Sequence, residues 1–336
     1  MQSIGNPLMW GVFVVVVVIA LAVDLLVFHR EAHEVELREG LIWTFVWIGL
    51  SLLFNAWIFL EDGARPALQF LTGYVIEKSL SVDNIFVFIL VFEYFSVPPK
   101  YQHRVLFWGI LGAVVMRGIF VALGAALVSR FDWVLLLFGV FLLYTGIKIV
   151  VRKEVEVDPE HNPVIRWVER HLRVTGRYDG QRFITRVNGT LSATPLLLVL
   201  IVVELTDVVF AVDSIPAVFG VTRDPFLVFT SNIFAILGLR ALYFVLHDLI
   251  RRFEYLHYGL GAVLAFIGVK MLLEDWVHIP VEISLAVVVV LLAGSSLASW
   301  FLGADEPVEP AEPGAAQSGP SSSAEGSKSS DTELMQ

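Results

Sequence analysis

The chain has 336 residues, 57% hydrophobic and 17% charged, with a mean hydropathy of +0.74 and a formal net charge of -10. A soluble core of this length cannot bury that much apolar sequence, so the composition indicates a membrane protein. With no cysteine and five methionines, disulfides, thiolate metal sites and thiol redox chemistry are excluded, little is left for a soft metal, and hard ligands remain.

A spanning helix needs roughly 20 mostly apolar residues. Such stretches lie near residues 9 to 28, 41 to 60, 66 to 96, 104 to 128, 132 to 151, 192 to 219, 226 to 247, 257 to 274 and 280 to 301. The expected fold class is therefore all-α, a polytopic transmembrane bundle of about nine helices. The first stretch has no basic leader and no small-residue cleavage site, and Asp24 interrupts its end, so it reads as a retained helix. The third and sixth exceed the bilayer thickness and must tilt, kink or begin along the interface. Between the fifth and sixth lies the one sizeable polar loop, 152 to 191, basic and broken by Pro159, Pro163 and Gly176. Its charge reads as a solvated topology determinant rather than a lipid or RNA surface. Beyond Gly303 the chain is Pro, Ser, Gly, Ala and acid with a single base, Lys328, the composition of a disordered tail that supplies part of the net charge.

Of the 23 Lys and Arg, fifteen fall on the side of the loops after the first, third, fifth and seventh stretches together with the tail. Three fall on the opposite side (Arg65, Arg130 and Arg223) and five within helices. The positive-inside rule then places the N-terminus outside and the C-terminus in the cytoplasm.

Two segments about 130 residues apart repeat one acidic pattern: Glu77-Lys-Ser-Leu-Ser-Val-Asp83-Asn-Ile and Asp207-Val-Val-Phe-Ala-Val-Asp213-Ser-Ile. After each comes an intramembrane arginine, Arg117 and Arg240, and then a Gly-x-Lys, at Gly146-Ile-Lys148 and Gly268-Val-Lys270. Three elements in one order indicate an internal duplication. An odd number of helices per copy makes the second copy enter the membrane from the other side, the inverted-repeat arrangement in which transporters hold substrate at the repeat interface. The resulting division is two N-terminal helices (1 to 65), a first three-helix repeat (66 to 151), the basic loop (152 to 191), a second repeat (192 to 274), a last helix (275 to 302) and the tail (303 to 336).

Ionised carboxylates inside a bilayer are costly and mark function. On a helix, Glu77 and Asn84 are nearly eclipsed, as are Asp207 and Ser214, so each pair forms an oxygen-bearing stripe. Glu77 and Asp83, or Asp207 and Asp213, stand about 120° apart and roughly 9 Å along the axis, too far for one ion on a straight helix. A site must draw on both helices or on a broken one. Pro216, whose ring clashes with the carbonyl of Val212, is the candidate break. Five acids (Glu77, Asp83, Glu204, Asp207 and Asp213) face two central arginines, Arg117 and Arg240. Internal ion pairs account for two of them, and Lys78 for one more by snorkelling. The excess, with Asn84, Thr206, Ser214 and Asn232 nearby, points to a hard divalent-cation site suited to Mg, Ca or Mn, with a proton relay as the alternative. Asp24 and Asn55 read as packing or capping residues, either able to complete a shell, and Lys148 and Lys270 as snorkelling side chains. No phosphate-binding loop, nucleophile with its base, or nucleic-acid surface is present, so neither an enzyme nor a nucleic-acid partner is expected.

The segments Phe70-Leu-Thr-Gly-Tyr-Val-Ile-Glu77-Lys-Ser-Leu-Ser-Val-Asp83-Asn-Ile-Phe-Val-Phe88 and Val203-Glu204-Leu-Thr-Asp207-Val-Val-Phe-Ala-Val-Asp213-Ser-Ile-Pro216 closely resemble the two signatures of the TerC/Alx family of integral membrane proteins. So does the continuation from Thr222 to Arg240, and the resemblance covers roughly residues 9 to 302. It implies a seven- to nine-helix protein of the lysine-exporter superfamily, in a bacterial inner membrane, linked to manganese export. Its metal-handling acids fall on Glu77, Asp83, Glu204, Asp207 and Asp213. The family's older association with tellurite resistance fits poorly, because an oxyanion is repelled by five carboxylates and no thiol is present to reduce it.

The expectation is a manganese exporter coupled to proton or other cation entry, with Mn2+ as cargo and no permanent cofactor. Asp83 and Asp213 would be central ligands, Glu77, Asp207 and Glu204 would complete the shell or carry protons, and Arg117 and Arg240 would neutralise the empty site or hold the repeats in register. The rival is a non-transporting membrane scaffold that delivers metal or partners the translocation machinery, and a calcium or magnesium carrier is a third reading.

Overall fold

The structure, a computed structural model, describes residues 3–28, 37–131, 133–151, 174–175, 177–187, 190–249, 255–274 and 276–302, with the side chains of 24–28, 83, 247–249 and 300 outside the description. The expectations for Asp24 and Asp83 as ligands, for the tail, and for most of the basic loop therefore fall outside it.

Ten helices are described: α1 Pro7–Phe28, α2 Leu37–Asp62, α3 Ala64–Tyr94, α4 Pro99–Arg130, α5 Trp133–Val151, α6 Pro195–Phe219, α7 Pro225–Leu237, α8 Leu239–Leu249, α9 Leu256–Leu273 and α10 Val281–Leu302. The chain is an all-α polytopic helical membrane protein. Six of these helices (α2, α4, α5, α6, α9 and α10) are long and apolar enough to cross a bilayer, and α7 with α8 makes a seventh if the bent pair is one span. Helix α3, at 31 residues, has the length but carries Glu77, Lys78 and Asp83 in its middle. Wherever α2, α5 and α10 leave the core they expose large apolar side chains such as Leu53, Leu60, Trp133, Val151, Val290 and Phe301, which is sensible only against lipid.

Prolines open α4, α6 and α7, where a missing amide hydrogen costs nothing. Asp224 caps α7 by accepting from the Phe226 amide at 2.9 Å. The same carboxylate accepts from the Ser3 hydroxyl at 2.6 Å and the Ile4 amide at 2.7 Å, tying the N-terminal segment to the α6–α7 loop.

Two elements differ from the sequence reading. Residues 192 and 193, expected to begin the sixth helix, lie instead with 190 and 191 of the expected loop in β2 (Thr190–Ala193), paired antiparallel with β1 (Ile184–Val187) in the register Ile184 to Ala193. The hairpin segment is seated on the α3–α4 turn: the Tyr178 hydroxyl donates to the Phe95 carbonyl at 2.7 Å, and the Arg104 guanidinium lies over the Phe183 ring at 5.2 Å. The second difference is the helix break. Helix α6 runs unbroken through Pro216, and the interruption falls instead between α7 and α8, bent by 43° at Gly238. Proline bends a helix but does not end it where neighbouring packing re-satisfies the freed carbonyls. At Gly238 the Lys78 ammonium donates to the Ala235 carbonyl at 3.3 Å, placing a cation on the last turn of α7. A β-carbon on Gly238 would meet that ammonium at 2.7 Å.

Packing pairs α3 with α7, α4 with α6, α3 with α6 and, most extensively, α5 with α9. The glycines of both Gly-x-Lys motifs explain that last pair. A β-carbon on Gly146 would lie 2.5 Å from the Gly261 carbonyl oxygen, and one on Gly268 would lie 2.7 Å from the Gly139 carbonyl oxygen. Each motif glycine thus lets its helix approach the other's backbone, a small-residue seam of the kind that joins helices in lipid.

Candidate functional site

Arg117 of α4 is 1% exposed and stands at the centre of a buried polar cluster. Its Nη1 pairs with Glu77 Oε1 of α3. Nη1 also donates to Asn232 Oδ1 of α7 at 2.6 Å and reaches Ser214 Oγ of α6 at 3.4 Å. Nη2 donates to Asp207 Oδ1 of α6 at 3.0 Å, and Nε reaches the other oxygen of that carboxylate at 3.4 Å. Asn232 Nδ2 donates to Glu77 Oε2 at 3.0 Å, so the amide bridges acid and base. Four helices meet here, and Glu77 and Asp207, which occupy equivalent places in the two acidic segments, share one guanidinium.

The cluster is closed. Beside Asp207 lies a void of about 10 Å³, lined by Phe88, Leu106, Ala113 and Val203 among others, room for one water at most. Two carboxylates share one guanidinium, and Glu204, one turn earlier on α6, lies close enough to interact with Asp207. The Glu204 carboxylate rests on α4 where Gly112 has no side chain, filling the place a β-carbon would take.

Asp213 is elsewhere. It is half-buried on α6, facing α5, beside the Thr145 hydroxyl and within reach of the Lys148 charge. Lys148 is exposed, as snorkelling requires. Asn84 is 2% exposed, and its Oδ1 has no hydrogen-bond partner. Thr206 is satisfied by its own helix, donating to the Val203 carbonyl at 2.8 Å. Arg240 is buried at 2%. Among the described residues, no three of the His, Asp and Glu side chains are close enough to hold one ion together. Of the anticipated set, then, Glu77, Asp207, Asn232, Ser214 and Arg117 are brought into contact, Glu204 is adjacent, and Asp213 and Asn84 lie outside that contact network. Thr145 and Gly112 were not anticipated. Thr145 had one available signal, since it directly precedes the repeated Gly-x-Lys.

With this geometry in view, the comparison with known proteins is decisive for family. The profile described as "Integral membrane protein TerC family" matches residues 62–306. The chain belongs to the TerC family. A protein of Escherichia coli strain K12 described as "Putative membrane-bound redox modulator Alx" is 53% identical over 297 residues, 86% of this chain and 92% of that protein. A Myxococcus xanthus relative, "Uncharacterized membrane protein STKORF319", is 48% identical over 310 residues, covering 92% and 97% of the two chains. A Rickettsia felis membrane protein is 38% identical over 290 residues, 86% of this chain and 96% of its own. No solved structure matches. This TerC family chain is a multi-pass integral membrane protein, and both acidic segments lie inside the matched region.

Proposed function

We propose that this TerC family chain is a divalent-cation transporter that exports manganese across the bacterial inner membrane, in exchange for protons or another cation. The observation that carries the reading is the convergence of Glu77 and Asp207 on the single buried guanidinium of Arg117, with Glu204 beside them. A structural ion pair needs one acid for one base, and surplus carboxylate in a membrane interior is expensive. Hard oxygen donors without thiols suit Mn2+, Mg2+ or Ca2+. Asp213 and Asp83 are the first ligands, because Arg117 does not already occupy Asp213. The open Asn84 oxygen is a further donor, and Glu77, Asp207 and Glu204 join as Arg117 withdraws.

The inverted-repeat reading is supported by reciprocal packing, in which α3 lies on α7 as α4 lies on α6, and α5 and α9 exchange glycine contacts. Orientation with the N-terminus outside is supported by where the basic residues gather. Arg104, Arg177, Arg182 and Arg186 lie in and around the hairpin end, whereas Arg65 and Arg223 lie at the end that holds the N-terminal segment. The name "redox modulator" given to relatives reaches this chain only indirectly: without cysteine it has no thiol to exchange, so any redox effect would pass through the metal it moves.

The test is purified protein in liposomes loaded with a manganese-sensitive dye. Manganese flux above protein-free liposomes is expected, lost in Asp213→Ala and resisting competition by magnesium and calcium. Absence of flux in the native protein would overturn transport and leave a scaffold role, and equal competition by calcium would overturn manganese selectivity.

A further inference from the structure

At the end of the bundle that holds the N-terminal segment, a cleft of about 510 Å³ opens between the start of α3, the α6–α7 loop, the end of α9 and the start of α10. That volume falls within the range of about 300–1,000 Å³ typical of small-molecule sites. Three bases line it, Arg65, Arg223 and Lys270, against two acids, Glu274 and Glu282. Arg223 Nη2 meets Glu274 Oε2 at 3.5 Å with both side chains a little over 40% exposed, so this pair is weak. Among the described residues, Arg65 and Lys270 make no hydrogen bond and no ion pair. Lys270 is half-buried, and Glu274 one turn on acts on it only at longer range, so its ammonium has shed water without a bound acid in return. Asp224, beside Arg223 in the chain, does not line the cleft, and its carboxylate is taken by Ser3, Ile4 and Phe226. Helix α10 begins on the same cleft: Pro280 has no side-chain oxygen to cap it, and the Val281 and Glu282 amides have no acceptor within the helix.

We propose that this cleft binds a phosphate group, held by Arg65 and Lys270 together with Arg223, whose guanidinium has donors to spare beyond its contact with Glu274. The inference stands apart from the transport reading and needs only that the chain lies in a membrane. An ammonium and two guanidinium forks give charge-assisted hydrogen bonds to phosphate oxygens, and the first amides of α10 add the positive end of a helix. Thr222, 5% exposed, lines the cleft as well; its hydroxyl accepts from the Asp224 amide at 3.3 Å and keeps a hydrogen to give. Arg65 and Arg223 are two of the three bases that the sequence places on this side, so their meeting at one cleft is not the general basicity of a surface. The group can come from a lipid headgroup or from the free ion. Trp276, 80% exposed, and Ile283, 53% exposed, adjoin lining residues in the chain and put the mouth where such side chains meet headgroups, which favours an anionic phospholipid.

The test uses the full-length protein purified in detergent. In native mass spectra taken with equal phosphatidylglycerol and phosphatidylcholine in the micelles, the native chain is expected to retain phosphatidylglycerol by preference. Arg65→Gln with Lys270→Gln is expected to lower that preference severalfold, while Arg130→Gln, a base on the same side that does not line the cleft, leaves it unchanged. An equal loss in Arg130→Gln would mean surface charge alone and overturn the site. Inorganic phosphate without lipid is the second arm. If it raises the unfolding midpoint of the native protein and not of the double variant, and no lipid preference is seen, the cleft takes its phosphate from solution. Binding of neither, or binding that the double variant keeps in full, would overturn the site. Glu282→Gln guards against a loss through misfolding. Removing this lining acid is expected to tighten binding of lipid or phosphate severalfold, and unchanged or weaker binding would overturn the site as well.

Discussion

Helix α6 carries two aspartates six residues apart that meet opposite fates. Asp207, 4% exposed, is bound through both its oxygens to Arg117 in a buried cluster of four helices. Asp213, half-buried, has the Thr145 hydroxyl and the exposed Lys148 for neighbours. The same residue type, on the same helix, is tied to a guanidinium in one place and, in the proposed function, offered to the cargo in the other. What separates them is the neighbour across the helix interface, Arg117 of α4 against Thr145 of α5. Acidity within the membrane therefore does not by itself distinguish an anchor from a free carboxylate; the group facing it across the helix interface does.

The strongest way to break the comparison is to remove the anchor's counter-charge. Arg117→Met leaves Glu77 and Asp207 buried without a counter-charge, a loss of about 3–5 kcal/mol. The expected outcome is a large fall in the thermal unfolding midpoint in detergent. Adding Glu77→Gln and Asp207→Asn should restore much of it, because the carboxylates then need no cation. A single Arg117→Met protein as stable as the native one would show that the cluster does not hold the helices.

A second change acts on the wall facing Asp213. Gly146 lies against the backbone of α9, and a side chain there must push the helices apart, so Gly146→Leu is expected to cost about 1–3 kcal/mol, read as a lower unfolding midpoint. Because Thr145 is the preceding residue, manganese flux should fall with it, while the Arg117 cluster, which involves no residue of α5, should remain intact.

Hydropathy marked the long apolar helices, and the repeated acidic segments marked Glu77 and Asp207, because charges inside apolar runs stand out against their surroundings. Their common partner Arg117 was visible as an intramembrane base, but that it takes both acids at once depends on the α3–α6 contact, which no local pattern encodes. The break at Gly238 was missed for a related reason. Proline at 216 is the stronger local breaker, yet the break falls at Gly238, where Lys78 of α3 reaches the Ala235 carbonyl on the last turn of α7, a contact no local pattern encodes. Of the β-hairpin before α6, only Ser192 and Ala193 were read as helix, because the apolar run Leu191, Ala193, Leu196 suits either element until its partner strand is known.

Asp213→Asn sharpens the comparison from the other side. With no buried guanidinium to strand, the change is expected to alter stability by no more than about 1 kcal/mol, so the unfolding midpoint stays near the native one. Flux in the liposome assay should nevertheless drop to background, whereas in Asp207→Asn the midpoint should fall too. Equal stability losses in the two variants would erase the distinction between anchor and ligand.

The smallest expected change in stability comes at Gly112, and it probes Glu204, the acid between the two fates. Alanine is favoured over glycine in a helix interior by about 0.8–1.0 kcal/mol. A β-carbon at 112 meets only the far end of the Glu204 side chain, which is flexible enough to move aside. Gly112→Ala should therefore keep or slightly raise the unfolding midpoint. Its cost appears in transport, because the Glu204 carboxylate is driven away from α4 and its place beside Asp207 is altered. A partial loss of manganese flux at unchanged stability, smaller than that of Asp213→Asn, places Glu204 with the ligands. Unchanged flux would place it with the packing, since a carboxylate that can be displaced without consequence is not on the ion's route.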